Sequence, residues 1–237
     1  MPRRTALVAL LLLLATAATA FADRGRRRWG NGPRPPRPYP THPAPTPGWG
    51  GPNLDHLRMV SAACDAAVYD RNDRSSCVQA ALYLPEPTAT IAACDAAIYY
   101  DKDVLACLQA AAGARISIAP TIAACDHAMY YDKDVITCVA TAATAWSDPR
   151  AAIAACDHAM YYDRDVLSCV ATVAPTALPS SAIATCDRAM YYDKDALTCL
   201  AAAAPLGARA DEFIAYCDQS NYYDRDALTC LTQFSGR

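Results

Sequence analysis

Two cysteines separated by twelve residues recur six times between positions 64 and 230, and together they account for every cysteine in the chain. The copies read CDAAVYDRNDRSSC (64–77), CDAAIYYDKDVLAC (94–107), CDHAMYYDKDVITC (125–138), CDHAMYYDRDVLSC (156–169), CDRAMYYDKDALTC (186–199) and CDQSNYYDRDALTC (217–230). Their first cysteines fall 30, 31, 31, 30 and 31 residues apart. A period this regular marks a stacked-repeat protein, in which each copy buries its apolar face on the next.

Within a copy the apolar residues follow a helical period. Ile122, Cys125 and Met129 stand at i, i+3 and i+7, and Ile91, Cys94, Ile98 and Ile153, Cys156, Met160 repeat the pattern. A second set, Val135, Ile136 and Val139, is also helical in spacing. Between the two sets lies Tyr131-Asp132-Lys133-Asp134. Asp132 is placed to cap the second helix, and Asp134 in its first turn complements the helix dipole. Breakers separate the copies: Pro85 and Pro87, Gly113 and Pro120, Pro149, Pro175 and Pro179, Pro205 and Gly207. Ser147-Asp148-Pro149 reads as a cap followed by proline at the first helical position. Each copy is therefore expected to be two helices of about 11 residues joined by a tight turn.

The cysteine spacing fits such a hairpin. Each cysteine lies about 9 Å from the bend at the helical rise of 1.5 Å per residue, so the two face each other across an antiparallel pair. A disulfide needs Cα atoms within about 4.4–6.8 Å, closer than ordinary helix packing, and the alanines flanking each cysteine permit that approach. The repeat leaves two pairings, within a copy or between neighbours. Hairpin geometry favours the first: Cys64 with Cys77, Cys94 with Cys107, Cys125 with Cys138, Cys156 with Cys169, Cys186 with Cys199, and Cys217 with Cys230. Each such closure contributes about 3 kcal/mol in the chain-entropy account. An alanine-rich hairpin of about 30 residues has too small a core to stand alone, so staple and stacking supply what the core lacks. Polar residues gather at both ends, at Ser61, Asp70, Arg74, Ser75 and Ser76 in the first copy and Ser220 and Asn221 in the last, as capping repeats require. The expected fold is all-α: a short solenoid of six disulfide-stapled helical hairpins over residues 54–237. Its organisation resembles that of Sel1-type and tetratricopeptide solenoids. Their units are longer and their W-x-x-L-G-x-x-Y signature is absent here, so the resemblance implies stacked helical hairpins and transfers no functional residue.

The N-terminal quarter differs. Met1-Pro2-Arg3-Arg4, an apolar run from Ala6 to Leu14, and the small residues Ala18-Thr19-Ala20 and Ala20-Phe21-Ala22 have the layout of a secretory signal peptide over residues 1–22, cleaved after Ala20 or, in our reading, Ala22. The run is shorter than the ~20 residues that span a bilayer, and no second one exists, so no transmembrane segment is expected. Residues 23–53 are rich in Pro, Gly and Arg without an apolar period, the composition of a disordered tail with polyproline II stretches. Six arginines (24, 26, 27, 28, 34 and 37) against Asp23 give the tail +5, whereas 13 Lys/Arg against 23 Asp/Glu from Asn53 onward give −10. The tail is a solvated spacer or a contact to an anionic surface that weakens with salt. Cysteines confined to the exported part imply an oxidising compartment, periplasmic or extracellular. A net charge of −3 excludes a general nucleic-acid binder, and nine glycines leave no phosphate-cradling loops.

Chemistry is sparse. His127 and His158 with the cysteines do not form a zinc site, because histidine occupies that position in two copies of six and C-x12-C lacks zinc-knuckle spacing. Asp126, Asp132 and Asp134 offer carboxylates to calcium, but the turn has no glycine, no bidentate glutamate and a basic residue between its aspartates; helix capping explains the same residues. Metal-site residues, cofactors and catalytic residues are therefore expected to be absent, with no nucleophile elbow, HExxH or unpaired cysteine in the chain. The tyrosine pairs remain. The first tyrosine of each is expected to pack against the turn or the next copy, its hydroxyl reaching an aspartate. The second (Tyr100, Tyr131, Tyr162, Tyr192 and Tyr223) is expected to be exposed beside Asp101, Asp132, Asp163 and Asp193. Such a surface suits an envelope glycan or an extended peptide, with repetition adding avidity. The expected function is a secreted, non-catalytic binding or scaffold module of the cell envelope or exterior. The alternatives are a structural coat or matrix component, including one cross-linked through dityrosine, and a calcium-dependent adhesion protein.

Overall fold

The structure, a computed structural model, describes residues 52–145, 148–176 and 178–236. The expected signal peptide and nearly all of the basic segment lie outside these residues, as does Ser147; residues 52 and 53 belong to the first helix. The described residues contain α-helices in pairs, one short 3-10 segment and no strand. The pairs are α1 (Pro52–Ala67) with α2 (Arg71–Ala81), α3 (Pro87–Ala97) with α4 (Asp101–Ala111), and α5 (Ala119–Ala128) with α6 (Asp132–Ala142). They continue as α7 (Arg150–Ala159) with α8 (Asp163–Val173), α9 (Ser180–Ala189) with α10 (Asp193–Ala203), and α11 (Ala210–Ser220) with α12 (Asp224–Ser235). The 3-10 segment, Ala204–Arg209, joins the last two pairs.

The sequence pattern sets the buried faces. In α6 the buried positions are Val135, Cys138, Val139 and Ala142, spaced i, i+3, i+4 and i+7, one stripe of a helix. Ile136, read from the sequence as part of that stripe, is only half-buried at its edge. In α5 the stripe is Thr121, Ile122, Cys125 and Ala128. The two stripes meet at the cystine. Every disulfide joins cysteines 13 residues apart in one unit, with Cα atoms 5.7–5.8 Å apart. This is the within-unit pairing, and no cysteine is left free.

Units then stack. First helices pack on the first helices of adjacent units and second helices on second helices, giving two rows of helices with the cystines between them. Among the described residues the principal contacts run within a unit or to the next one, the one-dimensional architecture of a solenoid. The buried hydrophobic core is non-aromatic: alanine, valine, isoleucine, leucine, methionine and cystine.

Prolines act as helix starters. Pro87 opens α3 and Pro120 is the second residue of α5, where a missing N–H costs nothing. Pro149 stands one position earlier than expected, at the N-cap of α7. The carboxylate of Asp148 accepts the Arg150 backbone N–H at 3.0 Å and also pairs with its guanidinium. These contacts hold the Asp148 carboxyl below the usual carboxylate range and push Arg150 up. Gly207 has φ +55°, a conformation that strains any side chain, and it breaks the chain between α10 and α11.

The ends differ from the middle. In the first unit Asp70 replaces the second tyrosine and caps α2, accepting the Asn72 N–H at 2.8 Å. The last unit has the expected polar Ser220 and Asn221, but its cap is also aromatic. Phe213 and Phe234 pack at 4.7 Å between ring centres, Tyr216 meets Phe234 edge-on, and the Arg209 guanidinium lies 4.9 Å over Phe213.

Six disulfides point to an oxidising extracellular or periplasmic environment. No helix among the described residues is long and apolar enough to cross a membrane. Replacing one central cystine, as Cys125→Ala with Cys138→Ala, should lower the free energy of unfolding by about 3 kcal/mol, read from denaturant melts. An unchanged midpoint would show that stacking alone holds the unit.

Candidate functional site

The turn between the two helices of a unit is the most repeated feature outside the core. In the third unit α5 ends at Ala128 and α6 begins at Asp132. Met129 (φ −110°, ψ 147°) and Tyr131 (φ −107°, ψ 140°) are both extended, so the chain leaves one helix and enters the next without glycine. Met129 points inward and is buried, as are Val68, Ile98, Met160 and Met190 at the same place. Tyr131 is the N-cap, its carbonyl accepting the N–H groups of Asp134 and Val135 at 2.8 and 3.0 Å. Its side chain makes no capping bond. The expectation that Asp132 caps α6 is therefore corrected: the aspartate is the first residue of the helix, and a carboxylate there faces the positive end of the helix dipole.

That carboxylate has a second partner. An extended turn leaves the N–H of the first tyrosine outside either helix, and an amide donor needs an acceptor. The aspartate of the following unit supplies it. Tyr69 N–H donates to Asp101 Oδ2 at 2.6 Å, Tyr99 to Asp132 at 2.8 Å, and Tyr130 to Asp163 at 2.7 Å. Tyr161 donates to Asp193 at 2.9 Å and Tyr191 to Asp224 at 2.8 Å. One such bond spans each interface between consecutive units. The first unit has no predecessor, and it carries Arg71 where the others carry this aspartate.

The expectation that the first tyrosine packs against the turn or the next copy is corrected by its exposure. The backbone N–H of the first tyrosine reaches the carboxylate of the next unit, while its ring is turned out. Tyr99, Tyr130, Tyr161, Tyr191 and Tyr222 are exposed by 55–91%, and Tyr69 by 82%. The second tyrosines, Tyr100, Tyr131, Tyr162, Tyr192 and Tyr223, are exposed by 57–66%, as expected. The rings of each pair meet edge to face, with centres 4.8–5.1 Å apart and planes at 85–87°. This arrangement satisfies the ring quadrupoles while leaving broad aromatic surface in solvent. Bound together by the aspartate bridges, the pairs form one strip along the turn edge of the solenoid.

Charged side chains flank the strip. Lys102, Lys133, Arg164, Lys194 and Arg225 are exposed, and the ammonium groups of Lys102 and Lys133 lie 5.9 and 5.6 Å over Tyr100 and Tyr131. Asp103, Asp134, Asp165 and Asp195, two residues after the first four bridging aspartates, are half-buried, while Asp226 in the last unit is exposed. His127 Nδ1 lies 3.7 Å from Asp157 of the next unit, a lateral contact between first helices. Among the described residues no three His, Cys, Asp or Glu side chains converge as a metal site would require.

No protein-family model, curated protein or solved structure matches the chain.

The bridge predicts a local effect. Asp163→Ala removes the acceptor of the Tyr130 amide, so hydrogen exchange at that amide should accelerate while that of Tyr99, bridged to Asp132, stays unchanged. The accompanying loss of stability should be about 1 kcal/mol. Unaltered exchange at Tyr130 would show that the bond does not persist in solution.

Proposed function

We propose that this is a secreted, non-catalytic binding module of the cell envelope or exterior, which engages an extended polymer through its tyrosine strip. The observation that carries the reading is the exposure of both tyrosines in five consecutive units. Ten large rings held in solvent on a stapled frame contribute little to the core, so their repetition calls for a partner. Tyrosine offers a rigid face with a polar tip, suited to sugar rings and peptide backbones alike. Sites repeated along one rigid body add avidity, because each bound unit raises the effective concentration for the next.

Secretion is supported by the signal-like opening of the sequence and by the cystines. The arginine-rich residues 23–53 would add attraction to an anionic surface. The alternative reading, a structural coat that buries the tyrosines between units, is disfavoured by their exposure, whereas a coat cross-linked through dityrosine also needs them exposed.

The test is Tyr131→Ala with Tyr162→Ala. Neither side chain makes a capping hydrogen bond, so helicity and melting should change little. Retention on wall glycans or immobilised extended peptides should fall roughly tenfold or more. Undiminished retention would remove the support for the strip as a binding surface.

A further inference from the structure

We propose that the strip takes an extended, proline-rich peptide carrying arginine at every third residue. This rests on the binding reading above and commits it to one class of ligand. Three observations converge on that class.

The first is spacing. Second helices of consecutive units pack directly on each other, and directly packed helices lie about 8–10 Å apart. The tyrosine pairs sit at the first residues of these helices and are tied across each interface by the aspartate bridge. The pairs therefore recur at about that interval. A polyproline II chain rises about 9 Å per three-residue turn. Laid along the strip, it brings an equivalent residue to each tyrosine pair, and a shorter or longer repeat would drift out of step.

The second is the shape of each pair. Two rings at 85° with centres 4.8 Å apart form a right-angled aromatic notch in the third unit. Aromatic notches receive pyrrolidine rings, and a polyproline II ligand is already extended, so it loses little entropy on docking.

The third is charge. In the third copy Asp126, Asp132 and Asp134, all half-buried and Asp132 also accepting the Tyr99 amide, outnumber the exposed Lys133, and the chain from Asn53 onward carries −10. An anionic polymer is repelled by this net charge, and a neutral one gains nothing from it. A guanidinium pairs with carboxylates and stacks on aromatic faces. The lysine already lying 5.6 Å over Tyr131 marks the ring as a place that a cation can occupy.

The experiment is titration calorimetry on the full chain with four synthetic probes. They are five repeats of Pro-Pro-Arg, five repeats of Pro-Pro-Glu, a Gly-Ser-Arg peptide of matched length and charge, and a neutral β-linked glucan oligomer. A peptide with the sequence of residues 33–40, Pro-Arg-Pro-Pro-Arg-Pro-Tyr-Pro, adds a natural instance of arginines three apart. The Pro-Pro-Arg peptide should bind at least tenfold tighter than the other three synthetic probes. It should lose at least tenfold in the Tyr131→Ala, Tyr162→Ala variant and weaken with salt. Equal binding of the flexible arginine peptide, insensitive to the tyrosine changes, would reduce the effect to plain charge attraction and overturn the proposal. Glucan binding that depends on the tyrosines, without binding of the Pro-Pro-Arg peptide, would overturn the ligand class while leaving the strip as a binding surface. Failure of every probe, together with undiminished envelope retention in the variant, would overturn both.

Discussion

The cystine between the two helices is the constraint on which the rest of this molecule depends. A hairpin of small residues buries too little apolar surface to offset the entropy of ordering its chain. Closing it covalently removes much of the freedom of the unfolded chain. It also brings the backbones to a Cα separation of 5.8 Å, closer than large side chains would allow. The alanine-rich composition and the cystine are thus one solution. Small side chains permit the approach, and the bond compensates for their small contribution to burial.

The close hairpin shapes the turn above it. With a helix ending at Ala128 and the next beginning at Asp132, three residues must reverse the chain. Extended backbone does so, with one side chain (Met129) plugging the core and two tyrosines left outside. The reversal strands one amide, and the next unit's aspartate accepts from it. A local problem of chain reversal becomes a bond between units, repeated at every interface. The same geometry turns the tyrosines into solvent, so the frame and the proposed binding strip come from one short segment, Y-Y-D.

Much of this was legible in the residues themselves. The C-x12-C period, with apolar residues at helical spacing on both sides, was enough to place the units and their helices and to favour the within-unit cystines over pairing between neighbours, because each is a local consequence of spacing along the chain. The bridging aspartates were harder to read. Asp132 stands immediately before a helical stripe, where capping is the ordinary role, and its true partner lies 33 residues away in sequence, at Tyr99. One signal was present: Arg71 occupies this position only in the first unit, the unit without a predecessor. The first tyrosine, expected to pack its ring against the turn, instead exposes it and bonds the next unit through its backbone amide. The aromatic cap of Phe213, Phe234 and Tyr216 depends on the packing of α11 against α12, which no repeat pattern encodes at the end of an array.

The account stands or falls on within-unit stapling, because the turn geometry, the bridges and the outward tyrosines all follow from it. The direct measurement is proteolysis of the full chain, produced in an oxidising compartment, under non-reducing conditions, with mass spectrometry of the linked peptides. The account predicts six linkages, each joining cysteines 13 residues apart, from Cys64–Cys77 to Cys217–Cys230. Linkages between units, such as Cys107 to Cys125, or cysteines recovered as free thiols, would contradict it.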